Sequence, residues 1–209
     1  MPLQNRVTPF GELVATEHRG TLMGNRGCLH DAQRRIRRPF ALKRWIVCVL
    51  EFRGRHRQVM SPGGYTELFF LDEATALAAG HRPCAECQRA RYILFREIWS
   101  AANSDLLAGG RCSADEMDEV LHRERLDNQR RKRTYPSSLS ELPAGVLAAD
   151  PEGVPFLVLN DGLILRWQPG GYSRDLPLPA DPVSVLTPKS IVMAIAAGYP
   201  VGIHPSAGG

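Results

Sequence analysis

The stretch YTELFFLDEATALAAGHRPCAECQRARYILFREIWSAAN, residues 65–103, decides the fold of this chain. YTELFF is apolar and aromatic enough for a short strand ending at Asp72. Asp72 can accept from the free amides of a first helical turn, and EATALAA behind it has high helix propensity. Gly80 supplies the left-handed position that stops such a helix. Cys84 and Cys87 follow, and QRARYILFREIWSAAN reads as a second helix. Its predicted buried stripe is Ala90, Leu94, Ile98 and Ala101, with Phe95 and Trp99 beside it.

Toward the N-terminus, LKRWIVCVLEF, a turn at Gly54 and RQVM predict a hairpin over residues 42–60, and SPGG at 61–64 predicts a further turn. Residues 1–25 give no clear element. Toward the C-terminus, Gly109 and Gly110 break the chain, and Ser113 with Glu116 forms a capping-box signature opening a helix that runs into RRKR at 130–133. A Ser- and Pro-rich segment, 135–143, reads as a linker. Beyond it the period changes. Residues 156–167 predict a hairpin turning at Asn160 and Asp161, with Gly162 left-handed, and 183–186 predict a strand. Thr187 and Pro188 then start a short helix that Gly198 ends. No internal repeat is evident. The expected fold is α+β in two units: residues 1–133, with a zinc knuckle and the helices after it, and residues 134–209, rich in strands with a short C-terminal helix.

At 209 residues the chain can bury a sizeable core without disulfides. Five cysteines, an odd number, and no charged-then-apolar leader point to a reduced, cytoplasmic setting in which thiols serve as ligands. WIVCVL at 45–50 and IVMAIAA at 191–197 are far shorter than the ~18 apolar residues of a membrane span, so no membrane association is expected. The net charge of +4 is unevenly spread: residues 26–57 hold ten bases against two acids, whereas residues 134–209 hold three against six.

Gln88 stands where a haem-attachment motif requires histidine, which excludes that use of Cys84 and Cys87. Three readings stay open: a redox pair, two buried thiols, or half of a zinc site, in which a CxxC turn places two thiolates on adjacent corners of a tetrahedron. For the other half, Cys28 and His30 in GNRGCLHD form a second candidate knuckle. Cys48, inside a strand with Ile46 and Leu50 on its own face, is expected in the core, so Cys84→Ser should lower the melting temperature more than Cys48→Ser. Cys112 reads as a buried thiol and His81 as a neighbour of the knuckle that supports rather than ligates. His18, His56, His122 and His204 read as surface or core imidazoles.

The string YTELFFLDEATALAAGHRPCAECQRA, 65–90, closely resembles the metal-binding module of the Ada DNA-repair protein and its relatives, in which a strand, a capped EALAAG helix and an RPCxxC knuckle supply half of a zinc site. With Cys28 and His30 as the other half, the resemblance covers residues 28–90. It implies a zinc-stapled fold, often found beside nucleic-acid work. Methyl transfer does not carry over, because a cysteine and a histidine stand where the family has two cysteines. The alkyltransferase string Pro-Cys-His-Arg is missing too.

The expected function is therefore a zinc protein with Cys84, Cys87, Cys28 and His30 as ligands that binds DNA or RNA through Arg34, Arg35, Arg37, Arg38, Lys43 and Arg44, helped by RRKR and by stacking on Phe40, Trp45 or Tyr135. One alternative is a zinc-dependent hydrolase or nuclease using His30, His81 and Asp31 or Glu86, which a closed four-ligand site would disfavour. Another is an interaction module gripping a protein partner with Trp167 and Tyr172 of the C-terminal unit.

Overall fold

The computed structural model describes residues 1–55, 58–107 and 112–208. His56, Arg57, Gly109 and Gly110 lie outside them. The architecture is α+β, as the sequence predicts. The first half contributes strands β1 (Gln4–Val7), β2 (Leu13–Ala15), β3 (Leu22–Asn25), β4 (Ile46–Cys48) and β5 (Leu68–Phe70), helix α1 (Glu73–Ala78), strand β6 (Arg82–Pro83), and helices α2 (Arg89–Ala102) and α3 (Ala114–Arg125). The second half adds β7 (Tyr135–Ser137), β8 (Leu147–Ala149), β9 (Pro155–Val158), β10 (Ile164–Gln168), β11 (Gly171–Ser173), β12 (Val183–Val185) and α4 (Lys189–Ala196). Strands β1–β6 form one mixed sheet in the order β2-β1-β5-β3-β4-β6, and β7–β12 form an antiparallel sheet in the order β11-β10-β9-β8-β12-β7.

Helix α1 is buried on every side. Its small residues make this possible: Ala76 and Ala79 pack with Val7, Val47, Leu68 and Phe70 of the first sheet, while Ala74 and Ala78 pack with Leu147, Leu157 and Leu165 of the second. Larger side chains would hold the sheets apart. Helices α2, α3 and α4 share a core with the second sheet, in which Phe95, Trp99, Met117 and Ile191 meet Phe156 and Val185.

Polar groups fix α1 as firmly as packing does. Asp72 caps the helix through Oδ1, which accepts from Thr75 N at 2.8 Å, and its Oδ2 accepts from Tyr172 OH at 2.8 Å and His204 N at 2.9 Å. Thr75 Oγ1 also accepts from Trp167 Nε1 at 3.0 Å. The cap of α1 is thus a hydrogen-bonded joint to β10 and β11. Tyr172→Phe removes one bond to a buried carboxylate, and we expect it to lower unfolding free energy by about 1.5–3 kcal/mol. A urea midpoint unchanged from wild type would refute this.

At its other end, α1 leaves carbonyls that cations satisfy. Gly80 O accepts from Arg125 Nη1 at 2.9 Å, and Ala78 O accepts from Lys132 Nζ. These cations suit the negative end of a helix dipole. Gly80, at φ 84°, cannot be replaced freely, because a Cβ there would lie 2.8 Å from Cβ of Arg125.

Several expectations need correction. Residues 1–25 contain three strands. The strand at 46–48 pairs with 22–25 and 82–83, and among the described residues no return strand at 58–60 makes it a hairpin. The expected linker includes β7, an edge of the second sheet. Helix α2 buries Tyr92, Phe95 and Trp99, whereas Leu94 is exposed, so the stripe lies one position round from the expected one. The aromatics carry more apolar area than the alanines and so choose the face.

Candidate metal centre

Strand register builds this site. Met23 lies opposite Cys48 and Asn25 opposite Ile46, Met23 is also opposite Phe69, and β6 runs parallel to β4 with Ile46 beside Arg82 and Val47 beside Pro83. Because alternate residues share a face, Ile46, Cys48, Met23, Asn25, Phe69 and Glu67 project from one side of the sheet. Val47, Leu68 and Phe70 project from the other, into the core with α1. Cys84 N donates to Val47 O at 2.9 Å, which carries the ladder into the knuckle and sets Cys84 beside Cys48. Gln88, opening α2, donates from Nε2 to the same carbonyl at 2.9 Å.

As a result, the sulfur atoms of Cys48, Cys84 and Cys87 all lie within 4.8 Å of one another. Thiolates bound to zinc at 2.3 Å and tetrahedral angles would be about 3.8 Å apart. The three cysteines are close enough to hold a metal ion. Glu86 N donates to Cys84 Sγ at 3.4 Å, the amide-to-sulfur contact that stabilises a ligand thiolate in a knuckle. The hydrogen bond from Cys48 and the amides of Cys87 and Glu86 lower the Cys84 thiol to about 5. The Cys48 thiol is pushed up, first by its bond to Cys84 and then by burial, and burial raises Cys87.

Cys28 and His30 do not belong to this group. Cys28 is exposed and its thiol donates to His30 O at 3.7 Å. The His30 ring is spent on structure, with Nδ1 at 2.6 Å from Thr66 Oγ1 and Nε2 at 3.2 Å from Ser61 O. Cys48, expected in the core, is the third sulfur that lies beside the two knuckle cysteines. It is in a strand and 7 % exposed as anticipated, but its face carries the site. The missed signal was that β4 pairs with the knuckle, a contact across 36 positions from Cys48 to Cys84 that no local pattern encodes.

His81 is fully buried between Trp45 and Phe70, and Nε2 accepts from Arg26 Nε at 3.2 Å. Burial and the nearby Arg26 and Arg125 push its pKa far down, so it is neutral. It takes no part in the thiol group. The hydrolase reading based on His30 and His81 therefore lacks its histidines. Cys112 is buried in the helical core, as expected.

The basic segment forms a loop with a counterpart elsewhere. Residues 31–35, DAQRR, and 127–131, DNQRR, adopt the same turn. Asp31 Oδ1 accepts from Gln33 N and Arg35 N at 2.9 and 3.0 Å, and Asp127 Oδ1 accepts from Gln129 N and Arg131 N at 2.8 and 2.9 Å. Arg34 and Arg130 occupy the same left-handed position, φ 59° and 63°. Arg35 and Arg37 pair with Asp31, Arg131 with Asp127, and Lys43 with Glu119, while Arg38 and Arg44 are exposed. Of RRKR, Lys132 turns inward to Ala78 O. Trp45 is 2 % exposed, with the guanidiniums of Arg26 and Arg125 at 3.9 and 4.0 Å from its ring, so it cannot stack on a base. Trp167 and Tyr172 are core residues and offer no grip to a partner.

No protein-family model, curated protein or solved structure matches this chain. Among the described residues no helix is long and apolar enough to cross a membrane.

Proposed function

We propose that the chain is a zinc protein in which Cys48, Cys84 and Cys87 hold the ion, and that it binds DNA or RNA through its arginine-rich loops. The observation that carries the zinc reading is the convergence of three sulfurs from a strand and a turn far apart in sequence. Thiolate donors favour zinc over the hard cations. The resemblance of residues 65–90 to the Ada module supports the same metal. Elemental analysis should find one zinc per chain. X-ray absorption should find three sulfur scatterers, and two or fewer would sink the ligand set.

The nucleic-acid reading is supported by the paired DxQRR loops, each of which uses its own aspartate to hold the turn and projects arginines outward. Arginine recognises phosphate with a planar fork, and two such loops offer spaced contacts to a backbone without reading bases. We expect retention on DNA at low salt, and Arg34→Ala with Arg38→Ala to flatten the dependence of log affinity on log salt by about 1.4–1.8. Zinc content should stay intact. Equal retention of wild type and variant at every salt concentration would refute the interface.

A further inference from the structure

We infer that the fourth coordination position of the metal opens into a ligand cavity, so that the centre takes a small nitrogen heterocycle rather than serving only as a clamp. This inference rests on the zinc reading above. The face of the first sheet that carries Cys48 also forms the wall of a cavity of about 350 Å³, lined by all three cysteines together with Met23, Phe69, Asn25 and Glu67. A volume of this size suits a small ligand.

The two ends of the cavity differ in chemistry. At one end lie the sulfurs of Cys48, Cys84 and Cys87, from β4 and the knuckle, which would hold the metal, and among the described residues no fourth histidine, cysteine or carboxylate joins them. At the other stands Glu67, 5 % exposed, with Oε2 accepting from Met60 N at 2.7 Å. Met60 is fully buried and adopts a left-handed φ of 54°, a conformation costly for a side chain of its size. That strained backbone aims its N–H at the carboxylate and keeps Glu67 in place. Beside it, Asn25 Oδ1 accepts from Gly27 N at 3.2 Å, which leaves the amide NH₂ as the group Asn25 can offer. Sheet spacing puts Glu67 two strands and one row from Cys48, about 12 Å between Cα atoms.

The walls between are Met23 and Phe69, an apolar bed for a flat ring. The occupant so defined has a lone pair for the metal, a planar apolar body and an N–H donor for Glu67. An amino-substituted azole or pyrimidine meets all three demands.

Cobalt replacement of zinc in the full chain tests this, because the visible bands of thiolate-bound cobalt report its fourth ligand. Imidazole should shift the bands saturably, and 2-aminoimidazole, with extra N–H donors, should bind about tenfold more tightly. Glu67→Gln keeps the bond from Met60 N and should erase that preference while leaving the spectrum of the unliganded cobalt protein unchanged. Bands insensitive to both heterocycles overturn the proposal but leave the zinc reading standing. The same holds if His56→Ala removes a nitrogen scatterer from the zinc shell, since the tetrahedron would then be closed by protein. Failure of the wild-type chain to take up cobalt or zinc at all overturns both readings.

Discussion

Cys48→Ser, Cys84→Ser and Cys87→Ser should each lower the melting temperature by about 10–20 °C and reduce bound zinc to a small fraction of wild type. The physical reason is linkage: metal affinity adds to the stability of the folded state alone, and a thiolate zinc site contributes several kcal/mol of it. In a chain of this size about 4–5 kcal/mol corresponds to that temperature shift. Chelation of zinc from the wild-type protein should reproduce it without any substitution. Cys28→Ser is the control, because Cys28 is exposed and outside the sulfur group, and it should shift the transition by about 2 °C or less. The pattern separates the two candidate ligand sets. The sequence reading makes Cys48→Ser the milder change, whereas the geometry makes it as severe as Cys84→Ser. A Cys48→Ser protein that melts and binds zinc like wild type would remove β4 from the site.

Asp118→Ala should be nearly as damaging, for a reason unconnected with metal. Arg82, in β6 just before the knuckle, donates from Nε to Asp118 Oδ1 at 2.9 Å and from Nη2 to Oδ2 at 2.8 Å, with both side chains 5 % exposed or less. Removing the carboxylate strands a guanidinium in the core with Pro83 O, at 3.2 Å from Nη1, as its remaining hydrogen-bond partner. Breaking one side of such a pair costs about 3–5 kcal/mol, which here means a fall of roughly 6–20 °C. Replacing both partners with apolar residues of similar volume, Arg82→Met with Asp118→Leu, should recover most of the loss, since desolvation of two charges is avoided. Thermal melts of the single and double variants decide it. A double variant no more stable than Asp118→Ala would show that the pair contributes more than its burial costs.

Local chemistry was the legible part of this chain. Asp72, Gly80, the Ser113–Glu116 capping box and Gly162 all act where the sequence places them, because a cap or a left-handed turn depends on one or two neighbours. The hairpin of β9 and β10 was legible for the same reason. What failed was pairing across distance. Residues 4–25 carry strands too short and too polar to announce themselves, and they become strands only because β5 and β4 offer edges to them. Cys48 looked like any small apolar residue in a strand, and its role follows from which strand lies beside it. His30 looked like a ligand because of the cysteine two positions away, but Thr66 and Ser61 claim its ring. The recurrence of DAQRR as DNQRR spans only five residues, too short to suggest a repeat until both turns are seen with the same hydrogen bonds.

Strand β6 lies at the margin of the first sheet, and its inward amides, those of Arg82 and Cys84, donate to Trp45 O and Val47 O. The residue between them, whose nitrogen points outward, is Pro83. Both residues of β6 are buried, so an amide at this position would be shut away from water without a partner, and a proline lets the margin be covered without leaving such a donor stranded.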